Sequence, residues 1–276
     1  MSHYQRSEKF CNSTMASDRA ISFHRLTPRS TNVGLLQKLF RLRYDIYCLE
    51  KRFLSAEEFP EKLETDSFDA VSTHIAACTS NNEIVGSLRL VQPNTKQNFP
   101  FEQTCALFHS VTLPPPQESG EISRFIVNKT YRQNKTNFLQ ASEPVVQLDA
   151  IGEPLVKNVI TSAELVLGMY RELYRHSCVT GIRYWYAAME RSLATLLRRT
   201  GFNFEPIGPV TDYYGPVIPF LVDLNILRKT LEAQNPVLWD WFNDTTVEIK
   251  NVADPFFPDL HFSSVGTPRS VISSVQ

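Results

Sequence analysis

Six charged residues lie in or beside stretches of the sequence whose other side chains are mostly apolar. They are Arg43, Asp66, Asp69, Arg89, Glu121 and Arg124. A charge buried without a partner is costly, so a chain with this pattern must fold in a way that pairs these charges. We therefore expect segments that are distant in sequence to meet around a polar group, and a polar substrate is the candidate. Taken singly, each residue has a simpler interpretation as a side chain that reaches solvent.

The overall charge and the apolar runs exclude several classes of protein. The 276 residues carry 28 basic and 29 acidic side chains, so no overall field favours nucleic acid or an anionic membrane surface. No apolar run approaches the ~18 residues of a membrane-spanning helix, and the N-terminal region lacks the apolar core of a signal peptide. We expect a cytoplasmic protein without a transmembrane segment. The five cysteines have no zinc-binding spacing, and we expect reduced, structural thiols and no metal site.

Two common kinds of active site have no counterpart in the sequence. No GxGxxG or GxxxxGK pattern is present, so a phosphate-binding loop for a dinucleotide or for ATP is not expected. No serine stands in a GxSxG motif and the six histidines are scattered, which argues against serine hydrolase chemistry.

Composition divides the chain into three parts. We expect a flexible N-terminal arm at 1–19, one folded domain at 20–243 and a polar C-terminal tail at 244–276. Within the domain, periodicity and capping signals predict strands at 20–26, 74–79, 84–91, 121–127, 183–189 and 217–222, and helices at 33–53, after Thr161 and after Glu190. The order β-α-β-β-β-α-β-α-β predicts an α/β (α+β) fold. The connection at 128–160 is long enough to suggest a functional or mobile loop.

Some candidate residues can be placed on these elements. The apolar stripe of the first helix consists of Leu35, Leu39, Leu42, Ile46, Leu49 and Phe53. Arg43 lies beside that stripe, so we expect it to be half buried. Strand alternation sends Glu121 and Arg124 to opposite faces, and both can serve one site only if a β-bulge lies between them. Asp66 and Asp69 follow several glutamates, including Glu64, and could belong to a solvated acidic loop.

Four short motifs, taken together, resemble the autoinducer synthase branch of the GNAT-like acyltransferases. The motifs are R-x3-Y at Arg43 and Tyr47, D-x2-D at Asp66 and Asp69, VGxxRL at Val85–Leu90, and ExSR at Glu121–Arg124. The family's usual phenylalanine is Tyr47 here, and its usual tryptophan is Phe53. Longer phrases look more like the acyltransferases that accompany the PEP-CTERM/exosortase system and the long-chain N-acyl amino acid synthases. These phrases are YCLE at Tyr47–Glu50, FP before Phe101, an AxMER-like stretch at Ala187–Arg191, GP at Gly208 and YGPVIP at Tyr214–Pro219.

The resemblance implies a fold and a reaction. The fold is a GNAT-like mixed sheet flanked by helices and splayed between its fourth and fifth strands, where a thioester enters. The reaction is the transfer of a fatty acyl group, long-chain by the closer resemblance, from acyl carrier protein or CoA to the amine of an amino acid or related molecule. An acyl-homoserine lactone synthase that uses S-adenosylmethionine, and a GNAT-like module that only binds an acyl ligand, remain alternatives. No tightly bound cofactor is implied, because the thioester is itself a substrate.

The resemblance also implies roles for residues. Glu121 becomes the general base, with Arg124 beside it in the catalytic pair. Arg43, Arg89 or Arg124 would bind an acceptor carboxylate, while Asp66 and Asp69 hold those arginines or an ammonium. Tyr47, Phe53, Phe101 and Phe125 are the remaining substrate-binding candidates, and the last three, with Tyr186, are candidates for an acyl tunnel. The Gly-rich pyrophosphate loop of ordinary GNAT enzymes is absent, which favours a carrier-protein donor that docks near Lys129, Arg132 and Lys135.

Overall fold

The computed structural model describes residues 21–93, 97–129 and 162–243. The predicted arm at 1–19, the tail at 244–276, most of the connection at 128–160 and the cap at Thr161 lie outside the described residues.

Eight strands of the described residues form one mixed sheet. They are β1 (Ser22–Leu26), β2 (Ser72–Cys78), β3 (Ile84–Val91), β4 (Ser119–Val127), β5 (Tyr184–Met189), β6 (Glu205–Pro206), β7 (Thr211–Asp212) and β8 (Pro216–Asp223). Their order in the sheet is β1-β2-β3-β4-β5-β8-β6, and β7 pairs with β8. All neighbours are antiparallel except β4 and β5, which are parallel. The predicted mixed α/β fold is confirmed.

Five α-helices accompany the sheet in the described part of the chain. They are α1 (Val33–Tyr44), α2 (Ser162–Thr180), α3 (Arg191–Arg199), α4 (Leu224–Gln234) and α5 (Pro236–Asn243). Asn32 caps α1, because its side-chain oxygen accepts from the Leu35 backbone N–H at 3.1 Å. The sequence analysis did not find α4, α5, β6 or β7. Among these described residues no helix has the length and apolar character needed to span a bilayer.

The main core lies between the sheet and α2. Leu90 and Ile122 are buried there with Met169, Leu173 and other α2 residues. The antiparallel register pairs Arg89 with Ser123, and Val91 with Glu121. Because successive side chains alternate between faces, Arg89, Ser123 and Glu121 lie on the face opposite to α2. That face carries the candidate site.

The first α-helix ends earlier than predicted. After Tyr44 the chain continues as a π-helical turn, Asp45–Glu50, in which the Lys51 N–H donates to the Ile46 carbonyl at 2.8 Å. A π turn contains more residues than an α turn, so it shifts the phase of the buried stripe. Leu49 and Phe53, which we expected in the core, are therefore exposed.

The sheet divides between β4 and β5, as expected for a splayed sheet. Their parallel pairing covers only Ser119–Ile122 on β4 and Tyr184–Ala187 on β5. Both strands continue beyond these pairs without pairing with each other. We call this opening the split. Glu121 and Tyr186 form the second-to-last residue pair before it.

A β-bulge in β4 brings Arg124 toward the same site as Glu121. Between the pairs Ser87–Ile126 and Arg89–Ser123, β3 advances by two residues while β4 advances by three. Arg124 takes a positive φ of 49°, which is uncommon for a residue other than glycine. The bulge expected from the strand alternation is confirmed.

Candidate active site

Arg43 is fully buried at the centre of a group of carboxylates. Its Nη1 and Nη2 donate to the two oxygens of Asp69 at 2.7 and 3.1 Å, and its Nε donates to Glu64. The Glu64 backbone N–H donates to the Phe40 carbonyl of α1 at 3.1 Å, which holds Glu64 against the helix. The prediction of a half-buried Arg43 was wrong, because two carboxylates compensate its charge and allow complete burial.

Arg89 and Arg124 extend this group. Arg89 Nη1 donates to Asp66 at 2.6 Å and to Asp69 at 2.9 Å, while its Nε donates to Ser123 Oγ at 3.0 Å. Arg124 Nη2 donates to Glu64 at 2.8 Å and to Asp66 at 3.0 Å. Three arginines thus alternate with three carboxylates, and their formal charges sum to zero. We call these six residues the arginine–carboxylate network: Arg43, Arg89, Arg124, Glu64, Asp66 and Asp69.

The network confirms that five of the six predicted charges meet directly. Each of these five charges is paired within the network, and their role in binding a polar substrate stays a prediction. The sequence analysis did not select Glu64, which stood among the glutamates of a presumed acidic loop. In the sequence, only its position two residues before Asp66 could have indicated that Glu64 belongs to the site.

The network also sets the protonation of its members. Burial alone would raise the pKa of Asp69, but Arg43, Arg89 and the Asp66 backbone N–H hold that pKa well below its usual range. Burial would likewise raise the pKa of Glu64, but Arg43 and Arg124 lower it. His74, which pairs with Arg89 across β2 and β3, is kept neutral, because burial lowers its pKa to about 3.

Glu121 has a different environment. Its side chain is buried, with the residue only 2% exposed, and its Oε2 accepts from the Phe101 backbone N–H at 2.9 Å. Burial raises the pKa of Glu121 to about 8, although the Phe101 N–H, Arg89 and Arg124 oppose that shift. A carboxylate that binds a proton near neutral pH has the properties of a general base.

The aromatic candidates fall into three groups of ring contacts. Phe101 and Tyr186 pack together at 4.8 Å beside Glu121, in a cluster that includes Phe99. Phe125 packs near Tyr170 of α2, with ring centroids 6.3 Å apart. Their role in an acyl tunnel stays a prediction.

The third group reaches the surface, where Phe53 and Tyr214 are exposed, while Tyr47 is half-buried. The Phe53 ring stacks on Tyr47 at 6.4 Å and on Tyr214 at 5.8 Å. The Arg124 guanidinium lies 5.4 Å from the centre of the Tyr47 ring. This contact connects the surface rings with the arginine–carboxylate network. The sequence analysis had named Tyr214 only as part of a motif.

Nothing in the described residues suggests a resident metal or a disulfide. No group of three or more His, Cys, Asp or Glu side chains could hold a metal ion in this part of the chain. The four cysteines it contains, Cys48, Cys78, Cys105 and Cys178, are free.

A family model matches part of this sequence, and several solved structures are similar to this fold. The model of the acetyltransferase (GNAT) domain matches residues 42–142, a range that includes all six predicted charges. The chain has a GNAT fold. A structure of BjaI, a CoA-dependent acyl-homoserine lactone synthase with SAM and isopentyl-CoA, has a TM-score of 0.57 at 22% identity, covering 82% of this chain and 91% of that one.

Two further synthases share the GNAT fold. The CoA-dependent acyl-homoserine lactone synthase MesI has a TM-score of 0.52 at 23% identity, covering 77% of this chain and 94% of that one. The AHL synthase LasI has the same TM-score at 16% identity, covering 74% of this chain and 89% of that one. Identities this low establish the fold alone. A search of curated proteins found no significant match.

Proposed function

We propose that this protein is an N-acyltransferase that moves a fatty acyl group from a CoA or acyl carrier protein thioester to the amine of an amino acid or a related small molecule. The observation that carries the proposal is the position of Glu121. It is a buried carboxyl with a pKa raised to about 8, located next to the split of a GNAT fold.

The chemistry follows from that position. Glu121 takes a proton from the acceptor ammonium, directly or through one water, and the free amine attacks the thioester carbonyl carbon. Backbone N–H groups at the β4 bulge are candidates to stabilise the resulting oxyanion. When the tetrahedral intermediate collapses, the C–S bond breaks, the nitrogen loses its second proton to solvent, and the thiolate takes up the proton held by Glu121. The base is thereby restored, and the products are an amide and a thiol.

The exposure of the network members divides their roles. Arg43 and Arg89 are fully buried and bound to carboxylates, which suits positioning residues. Asp66 and Arg124 keep 26% and 15% of their side chains exposed. We propose that an acceptor with both charges, such as an amino acid, places its ammonium near Asp66 and its carboxylate near Arg124. A neutral network favours such a zwitterion over a simple anion.

A second candidate is an acyl-homoserine lactone synthase that uses S-adenosylmethionine. It is favoured by the fold shared with BjaI, whose structure contains SAM and isopentyl-CoA. The acceptor would carry the same amino acid group, so both candidates make the same demands on Asp66 and Arg124. The longer motifs at Tyr47–Glu50 and Tyr214–Pro219, which resemble N-acyl amino acid synthases of the PEP-CTERM/exosortase type, favour the first candidate.

The test is incubation of the purified protein with acyl-CoA or acyl-carrier thioesters and either a pool of amino acids or S-adenosylmethionine. Thiol release and product mass are followed together. An N-acyl amino acid supports the first candidate, whereas an acyl-homoserine lactone with methylthioadenosine supports the second. Thioester binding without release of thiol would contradict both and indicate a binding module.

A further inference from the structure

Glu121 cannot reach an acceptor in the conformation observed. Glu121, Phe101 and Tyr186 are each at most 2% exposed. An amine that gives its proton to Glu121 must come within hydrogen-bonding distance of the carboxyl or of one water bound to it. Some element above this carboxyl must therefore move during a reaction cycle.

The tip of the β7–β8 hairpin, residues Tyr213–Gly215, packs beside this place. Tyr213 is partly buried against the cluster that contains Phe101 and Tyr186. Arg124 and Glu121 both act electrostatically on the Tyr213 phenol, whose pKa is raised mainly by burial. Tyr213 is thus close to both residues of the proposed catalytic pair and, being only partly buried, also reaches the surface.

The next residue ties the tip to the other side of the split. The Tyr214 ring stacks on Phe53 at 5.8 Å with an angle of 26° between the ring planes. Phe53 follows the π-helical turn after α1, whereas Tyr214 precedes β8, which pairs with β5. The stack therefore joins the α1 side of the fold to the β5–β8 side.

The tip itself is weakly attached. β7 has two residues, and its pairs with β8 are Thr211–Val217 and Asp212–Pro216. Pro216 has no N–H to donate. The tip is closed by hydrogen bonds from the Tyr213 N–H to the Gly215 carbonyl at 2.9 Å and from the Gly215 N–H to an Asp212 carboxylate oxygen at 3.1 Å, and both lie within the hairpin. Tyr214 and Gly215 have positive φ values of 56° and 114°, and Tyr214 is exposed. An exposed, strained turn whose hydrogen bonds lie within its own hairpin can move away from the site at low cost.

We propose that Tyr213–Gly215 is a lid over the acyl-transfer site, and that the stack of Tyr214 on Phe53 holds it closed. The inference rests on the proposed function. The open lid admits the acceptor to Glu121, and the closed lid excludes water from the thioester. The amine then attacks the carbonyl in preference to water, which would give a free acid and a thiol.

A disulfide that locks the lid tests its opening. The Phe53→Cys/Tyr214→Cys variant also carries Cys11→Ser and Cys178→Ser. This protein is assayed in its oxidised form and in its reduced form, and the reductant is removed before the second assay. We expect at least about tenfold less amide product from the oxidised form. The two single-cysteine variants, treated identically, control for oxidation. Equal product from both forms, or a pair that does not oxidise, would overturn the lid.

Hydrogen exchange gives a reading that does not depend on turnover. The Phe101 amide, which donates to Glu121, should exchange more slowly in the oxidised form than in the reduced form. If no thioester and acceptor yield product in the parent protein, the proposed function fails, whereas this comparison still decides whether the lid opens. Equal exchange in the two forms would exclude the lid.

The exclusion of water is tested by the ratio of thiol released to amide formed. Tyr214→Ala removes the stack, and we expect the ratio to rise at least about threefold because hydrolysis competes. Tyr214→Phe keeps the ring and should leave the ratio as in the parent. A ratio that Tyr214→Ala does not change would show that the stack has no part in excluding water.

Discussion

The Glu121 carboxylate and the Phe101 backbone N–H are hydrogen-bonded, with 2.9 Å between oxygen and nitrogen. This bond favours the charged carboxylate, but burial opposes it more strongly and raises the pKa of Glu121 to about 8. A proton is therefore gained and lost at this residue near neutral pH. The pairing of Glu121 with Tyr186 places the same group beside the split.

We expect Glu121→Gln to lower kcat for acyl transfer by about 10²–10⁴, because it removes a base and keeps the shape of the side chain. In the parent protein kcat should rise with pH and level off above about 8, where Glu121 is deprotonated. The variant should lose that transition. The matched control is Glu118→Gln, since Glu118 is an exposed carboxylate three residues before Glu121. Unchanged turnover in Glu121→Gln would assign proton removal to another group.

The raised pKa of Glu121 also predicts a pH-dependent stability. Between the usual glutamate pKa and about 8, the folded protein holds a proton that the unfolded chain releases, so Glu121 lowers stability as pH rises through this range. Glu121→Gln mimics the protonated form. It should therefore unfold at a higher temperature than the parent above pH ~8, and the difference should vanish below pH ~5.

Asp69→Asn is the control, and it should change the stability in the opposite direction. The pKa of Asp69 is lowered, so its charge stabilises the fold above the usual aspartate pKa, and this contribution is lost in acid. The variant should be less stable than the parent at neutral pH and approach it as pH falls. Thermal unfolding of both variants across the pH range measures the two effects, and two differences of the same sign would contradict the assigned protonation states.

Arg43→Met should cost about 3–5 kcal/mol in the free energy of unfolding, because it leaves Glu64 and Asp69 buried with one cation fewer. Arg41→Met is the matched control on the same helix. Arg41 pairs with Asp45 at 3.6 Å with both side chains half exposed, and such surface pairs contribute at most about 1 kcal/mol. Urea unfolding of the two variants gives the comparison. Equal losses would mean that the network does not hold the fold together.

Regular elements were predictable where a simple period applies. β3 was predicted at the bounds it has, since a hairpin signal precedes a strand with Leu88 and Leu90 on one face. The bulge at Arg124 followed from strand alternation together with the assumption that Glu121 and Arg124 serve one site. The alternation argument needed no knowledge of the neighbouring strands.

Other features could not be read from local patterns. The π turn at Asp45–Glu50 breaks the period of 3.6 on which the helix prediction depended, so Leu49 and Phe53 were misplaced. Glu64 has the same local sequence character as its exposed neighbours, and its burial depends on Arg43 and Arg124. The lid follows β7, whose two residues are too few to show alternation.

The last prediction concerns the donor. We propose that acyl carrier protein docks near Lys129, Arg132 and Lys135, because carrier proteins are generally acidic and this run follows the end of β4 at the split. Lys129 is exposed, and Arg132 and Lys135 lie outside the described residues. Reversing the three charges should slow association with acyl-carrier donor and flatten its salt dependence, while transfer from a small thioester is unchanged. Reversal of Arg198, Arg199 and Lys229, which are exposed on α3 and α4, controls for net charge. Equal slowing by both reversals, equal responses of acyl-CoA and acyl-carrier donors, or use of acyl-CoA alone would refute this docking site and leave the acyltransferase proposal standing.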